Sequence, residues 1–295
     1  MLISRYYDLF ASRGEKLHDS GTVLFLISNR MIFPFACVDD KVVLTDGQAT
    51  EILKKLGGIL IRWSDGDAME TESQEWYSVV CENFVPVESL KSKPRGEMLK
   101  GLSNFTVRRI DAAYLSQNGF EIYSKSIAGY KNFFSSKFDN QSFARNCMLA
   151  KDFDDIQHYW GVFSKTQLIG YSSVYVFDKI EALYTTIKIV PEYLNDYAAY
   201  ALLYSMNEYY LGQNGFKYVN DGYRSLLHDT NIQEFLIRKF NFRKRYLKLK
   251  VRYTPWLGNV IRIIYPARSV FAGIDKRIQA LLDQEMIRRS FIGQH

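Results

Sequence analysis

Gly215-Phe-Lys-Tyr-Val-Asn-Asp-Gly-Tyr-Arg-Ser-Leu-Leu-His-Asp-Thr-Asn-Ile-Gln-Glu-Phe-Leu-Ile-Arg-Lys-Phe-Asn-Phe242 reads as a buried strand, a polar turn and a helix. The strand covers Phe216 to Val219. Thr230 and Gln233 stand at capping-box spacing, and Ile232, Phe235, Leu236 and Phe240 make one apolar helical stripe. Asn220, Asp221, Ser225, His228 and Asp229 therefore fall between the end of a strand and the body of a helix. In sheets built with such units, ligands gather beyond the carboxyl ends of the strands.

Downstream, Tyr246-Leu-Lys-Leu-Lys-Val-Arg-Tyr253 alternates strictly, which predicts a strand with Leu247, Leu249 and Val251 on one face and Lys248, Lys250 and Arg252 on the other. Between Leu236 and Arg252 stand Arg238, Lys239, Arg243, Lys244, Arg245, Lys248, Lys250 and Arg252, and no acid. Such a run can neutralise phosphates of tRNA, a lipid-linked precursor or a membrane surface. On an edge strand it can equally serve to block aggregation. Val260-Ile-Arg-Ile-Ile264 predicts a last strand, and the tail predicts a helix with Ile274, Ile278, Leu281, Leu282 and Met286 on one face.

Upstream, a strand is expected over Phe105 to Ile110, a helix from Ala112 to about Phe134, and a polar loop from Ser135 to Asn146. Tyr159 to Phe163, Ile169 to Phe177 and Ala182 to Ile189 then form a three-strand meander. A helix follows, with Asn195 or Asp196 as its cap and Ala198, Ala201, Leu202, Ser205, Met206 and Tyr209 at three- and four-residue spacing. The first hundred residues hold an apolar run at Thr22 to Ile27, a helix near Gln48 to Leu56 and a strand at Ile59 to Trp63, after which the acidic loop Asp65 to Glu75 leads to Trp76-Tyr-Ser-Val-Val-Cys81. Ser89-Leu-Lys-Ser-Lys-Pro-Arg-Gly96 breaks the apolar pattern and marks a domain boundary. The expected organisation is a small α/β domain over 1–103, a larger one over 104–266 and an amphipathic helix over 267–295.

Hydrophobic residues at 47% and charged ones at 24% make this an ordinary globular chain rather than a disordered one. The net charge of +6 favours anionic ligands without naming one. Cys37, Cys81 and Cys147 are isolated, so neither a disulfide framework nor a zinc site is expected, and no metal ligands are assigned. Met1-Leu-Ile-Ser-Arg-Tyr-Tyr-Asp8 is charged too early for a signal peptide, and no stretch has the length of a membrane span. A cytoplasmic location is expected.

The order of elements from Phe105 to Ile264 resembles the Gcn5-related N-acetyltransferase (GNAT) fold. Tyr159-Trp-Gly-Val-Phe-Ser-Lys-Thr-Gln-Leu-Ile-Gly-Tyr171 is similar to that family's second-to-third-strand hairpin, and Ile189-Val-Pro-Glu-Tyr193 to the approach to its cofactor helix. A shorter divergent domain in front, and Phe235 to Phe242 behind, resemble the tandem layout of Fem-type aminoacyl transferases. The fold class expected is thus α+β with a mixed sheet, a GNAT-like domain preceded by a smaller, divergent or partial GNAT-like one. The resemblance implies acyl-CoA or aminoacyl-tRNA as donor. One segment departs from it: where the family carries a basic, glycine-rich pyrophosphate loop, this chain has Leu194-Asn-Asp-Tyr-Ala-Ala199. The acetyl-CoA loop is degenerate, and this leans toward the Fem-type branch or toward lost catalysis.

Asp221 is the candidate general base and His228 a candidate proton shuttle. Asn220-Asp221-Gly222 is also strong turn chemistry, and His228 at a helix start is explained as well by a local hydrogen bond. By the resemblance, backbone amides near Thr185 and Thr186 hold the acyl oxygen. Tyr171, Tyr175, Asn220, Tyr223, Ser225 and Arg95 are candidates to bind substrate or donor, with sheet packing, turn formation and solvation as the plainer accounts. Two functions stand side by side: transfer of an acyl or aminoacyl group to an amine between the domains, or a non-catalytic module that binds an anionic ligand or a protein partner. The partners considered are an anionic small molecule, tRNA and a lipid-linked precursor.

Overall fold

The computed structural model describes residues 2–67, 75–128, 139–227, 231–271 and 275–291. Eleven strands form one mixed sheet in the order β1-β2-β3-β4-β11-β5-β10-β9-β8-β7-β6. The first part of the chain gives α1 (Leu2–Ser12), β1 (Leu17–Asp19), β2 (Leu24–Ser28), β3 (Met31–Phe35), α2 (Asp46–Leu56), β4 (Leu60–Asp67), β5 (Tyr77–Cys81) and α3 (Ser92–Asn104). The middle gives β6 (Thr106–Ile110), α4 (Ala112–Ile127), α5 (Asn140–Met148), β7 (Gln157–Ser164), β8 (Gln167–Phe177), β9 (Glu181–Ile189) and α6 (Ala198–Asn207). The last part gives β10 (Tyr218–Tyr223), α7 (Ile232–Lys239), β11 (Arg243–Tyr253), α8 (Pro255–Ile264), α9 (Arg268–Phe271) and α10 (Lys276–Ser290). The fold class is the mixed α/β one that the alternation of periods predicts.

Local chemistry explains most of these elements. Thr45 and Gln48 close a full capping box on α2, and Gly57 ends it in the left-handed region at φ 72°. Pro94 lies in the first turn of α3, where a missing N–H is not needed, so the segment that interrupts the apolar pattern is itself a helix start. The meander β7-β8-β9 is antiparallel throughout, with Lys165 taking a positive φ in its first turn. Tyr6 fastens α1 to the sheet, its hydroxyl donating to the carbonyls of Ile156 at 3.1 Å and Val176 at 2.8 Å. On one side of the sheet Leu202, Leu203 and Met206 of α6 pack on Val162, Val174, Ala182 and Val219. On the other, Leu9 and Phe10 of α1 join Leu115 of α4 and Phe143 of α5.

Three expectations are corrected. Val260 to Ile264 belongs to helix α8 rather than to a strand: Pro255 opens the helix, and Leu257 and Ile261, four apart, are the residues that turn inward. The polar loop ending at Asn146 contains α5, because Asp139 caps it through Ser142 N at 2.7 Å and Phe143 and Cys147 recur one turn apart on its buried face. The third correction concerns β11, which is interior, flanked by β4 and β5, so its charges guard no edge. Many of its basic groups are paired: Arg243 with Glu82, Lys244 with Glu234, Arg245 with Asp39 and Asp67, and Arg252 with Asp46.

Candidate functional site

The site begins where two parallel strands part. β10 pairs with β9 only through Tyr218↔Glu181, Val219↔Ala182 and Asn220↔Leu183. Beyond these, β9 continues to Ile189 and β10 to Tyr223 without pairing each other. A cavity of about 1200 Å³ lies at this opening, lined by Tyr184 to Ile189, by Asp221, Tyr223 and Ser225, and by Gln233, Phe235 and Arg238 of α7. Arg13, Gln157, Tyr159, Tyr171 and Ser173 line it as well.

Asn220 to Gly222, expected as a turn after a strand ending at Val219, lie inside β10, which runs Tyr218–Tyr223 because pairing with β5 resumes at Tyr223↔Ser78; the bulge between is built by Asn220. Its Oδ1 accepts from Gly222 N at 2.7 Å and from Ser78 Oγ at 2.7 Å, while its Nδ2 donates to Glu181 Oε1 at 2.9 Å. Gly222 takes φ 88°, which a residue with a Cβ rarely adopts. The bulge and its local hydrogen bonds therefore account for Asn220 and Gly222, and Asn220, buried, does not line the cavity. Asp221 does. Burial pushes its carboxyl up to about 7, with the hydrogen bond from Gln233 working in the opposite direction. A carboxyl near 7 can exchange a proton at neutral pH.

On β9 a bulge falls at Thr185, since Ser173 pairs with Thr186 and Val174 with Tyr184. Thr185 Oγ1 donates to the Ser173 carbonyl at 3.0 Å, and both Thr185 and Thr186 line the cavity. Tyr171, buried, and Tyr223, stacked on Trp76 at 5.4 Å, line it as well. Tyr175 is not among the lining residues: its hydroxyl accepts from Arg13 at 3.0 Å, and its ring packs on Tyr6, Phe10 and Phe35. Arg95 is exposed on α3 and does not line the cavity. His228, with Asp229 and Thr230, lies outside the described residues.

Arg13 is a lining residue that nothing in the sequence singles out. Its two terminal nitrogens hold Tyr175 and Gln157 Oε1, the latter at 2.7 Å, and its Nε is shut from solvent without a partner among the described residues. Gln233 and Arg238 were also overlooked as cavity residues, hidden in what reads as an ordinary amphipathic helix.

At the first turn of α6 the expected cap is corrected: neither Asn195 nor Asp196 caps the helix. Tyr197 occupies the cap position at φ 68°, with no side-chain hydrogen bond to the turn. The backbone there has the left-handed shape that suits glycine, although the residue is a tyrosine. Gly101 of α3 packs against it so closely that a Cβ would come within 2.7 Å of the Tyr197 carbonyl. With the Tyr197 ring at the helix start, Asp196 beside it and no basic residue between Leu194 and Ala199, this helix end does not fit a coenzyme A pyrophosphate. Among the described residues no group of three or more His, Cys, Asp or Glu side chains is arranged to hold a metal ion, and no helix is long and apolar enough to cross a membrane.

No family model matches this sequence, and no curated protein matches it. Solved structures do match in shape. FemX superposes with a TM-score of 0.53 at 10% identity, over 88% of this chain and 93% of its own. The C-terminal domain of an Agrobacterium fabrum protein assigned as a lysylphosphatidylglycerol synthetase gives 0.52 at 10% identity, over 88% and 91%. A conserved protein of unknown function from Bacteroides thetaiotaomicron gives 0.53 at 8%, over 83% and 87%. The parted strands, the bulged third meander strand and these superpositions together show that the chain has the GNAT-like fold expected from its order of elements, and that it shares its shape with FemX.

Proposed function

We propose that this protein is a transferase that moves an acyl or aminoacyl group to an amine held at the opening between β9 and β10. The observation that carries the reading is the position of Asp221: a carboxyl raised to about 7 at the point where the two strands part. In this scheme the amine nitrogen attacks the activated carbonyl, forming the C–N bond as the donor's C–O or C–S bond breaks. Asp221 takes the proton released by the amine and returns it to the leaving group. The β9 backbone at the Thr185 bulge supplies amides to the developing oxyanion. Arg13, which lines the cavity, orients an acidic or carbonyl group of a substrate.

Of the two donors that the resemblance implies, aminoacyl-tRNA fits this reading better than acyl-CoA, because the start of α6 offers no cradle for a pyrophosphate. One structural neighbour is named for lysylphosphatidylglycerol, an aminoacylated lipid, which is in keeping with an aminoacyl donor. The organisation that accompanies this reading keeps the division at 1–103, 104–266 and 267–295. A thermal-shift panel of acyl-CoAs, nucleotide sugars and aminoacyl-tRNA tests it, followed by a transfer assay with the stabilising donor. The expected result is stabilisation by an acyl donor, retained in Asp221→Asn, with transfer lost in that variant. Stabilisation by a nucleotide sugar alone, without transfer, would assign the cavity to a binding module instead.

A further inference from the structure

The face of α8 turned away from the sheet is apolar. Leu257 and Ile261 point inward and pack with Leu60, whereas Trp256, Val260 and Ile263, spaced by four and three, are 54%, 43% and 76% exposed. On α9, Val270 is 69% exposed as well. From Thr254 to Phe271 the chain carries Arg262 and Arg268 and no acid. Beside α8 lies a second cavity, of about 770 Å³, whose lining includes Lys54, Arg252, Arg262, Arg288 and Arg289. Glu285, the acid among its described lining residues, is buried and already bonded to Arg288 and Arg289.

We propose that α8 and α9 dock this protein on the surface of an anionic lipid bilayer. An apolar helical face with Trp at one end and Tyr265 just beyond the other, flanked by arginines, suits the boundary between headgroups and acyl chains. Of the basic side chains around the second cavity, Lys54 and Arg262 face lipid phosphates, whereas Arg252, Arg288 and Arg289 are already paired with Asp46 and Glu285. A second copy of the chain is a poorer occupant. It would bring Arg262 and Arg268 toward their own equivalents with no acid on the segment to pair them. This inference is independent of the reading of the catalytic cavity, because none of these residues lines it.

Co-sedimentation of the full chain with vesicles tests it. Vesicles of phosphatidylcholine doped with phosphatidylglycerol should bind about tenfold or more tightly than phosphatidylcholine alone, with binding that weakens as salt rises. Ile263→Ser with Val270→Ser should abolish binding, and Arg262→Gln with Arg268→Gln should erase the preference for the anionic vesicles. Circular dichroism checks that each variant is folded. No binding to the anionic vesicles, or binding by both variants equal to the parent, would overturn the proposal. So would light scattering that shows a dimer without lipid, dissolved by Ile263→Ser, which assigns the face to a second copy.

Discussion

Asn220 Nδ2 donates to Glu181 Oε1 at 2.9 Å, so the residue just before the candidate base is held by a carboxyl at the start of the neighbouring strand. The same carboxyl accepts from Val38 N at 2.8 Å, which ties the loop after β3 to β9. Burial pushes Glu181 from 4.5 up to about 7, with the donors from Val38, Asn220 and Tyr218 working against it. A carboxyl raised on folding contributes stability that is complete below about 4.5 and lost as pH climbs to about 7. Glu181→Gln should remove part of the fall in urea midpoint between acid and neutral pH. It should also cost about 1–3 kcal/mol at all pH values, since one amide NH₂ must then face a donor.

Asp221→Asn should separate function from stability. Asp221 too is raised on folding, from 3.8 to about 7, so its charge weighs against the folded state above that pH. The variant should unfold at a higher temperature than the parent at alkaline pH and at a similar one in acid. Transfer by the parent should rise with pH through about 7, and the variant should lack that limb. A variant less stable than the parent at alkaline pH would show that the carboxylate is a structural acceptor.

Gly101→Ala tests the contact between α3 and α6. The added methyl lies 2.7 Å from a backbone oxygen, which cannot swing aside as a side chain would. A loss of about 1–3 kcal/mol is expected in urea unfolding, with the disturbance centred on the first turn of α6. Hydrogen exchange at Tyr200 and Ala201, whose N–H groups bond the Tyr197 carbonyl, reads it directly.

Arg245→Gln tests whether the basic run is structural. Arg245 grips Asp67 through Nε at 2.8 Å and also bonds Asp39, which Lys217 holds at 2.5 Å. Partial burial works to raise Asp39, but the hydrogen bonds from Lys217 and Arg245 win and hold it below the usual range. The stability this brings is present above the ordinary carboxylate range and lost as pH falls through it. The variant should lose about 1–3 kcal/mol at neutral pH, and less in acid. Unchanged stability with weakened polyanion binding would return Arg245 to a ligand-facing role.

The strands of the meander and the Asn-Asp-Gly irregularity are readable because period-two alternation and Asn-Asp-Gly chemistry are local, but that the strand runs on through it to Tyr223, where a turn after Val219 is expected, depends on the distant β5. Asp221 could be named for the same reason. Arg13 could not, since its relation to Gln157 spans 144 positions and leaves no spacing pattern. α8 was misread because Val260, Ile261, Ile263 and Ile264 are β-formers, and the signal that decides for helix, burial of only Leu257 and Ile261, exists once the sheet is there to cover them. The pairing of the basic run was equally hidden: Asp39, Asp46, Asp67 and Glu82 all lie in the first third of the chain.

β5 sits between β10 and β11, and Ser78 on it donates to Asn220 across 142 positions of sequence. During synthesis this short apolar strand emerges long before either neighbour exists, and both of its edges wait unpaired until the last quarter of the chain arrives. The candidate site is therefore assembled late. Its bulge cannot be held by Ser78 until two distant segments meet, a topology that folds slowly and leaves sticky edges exposed in the meantime.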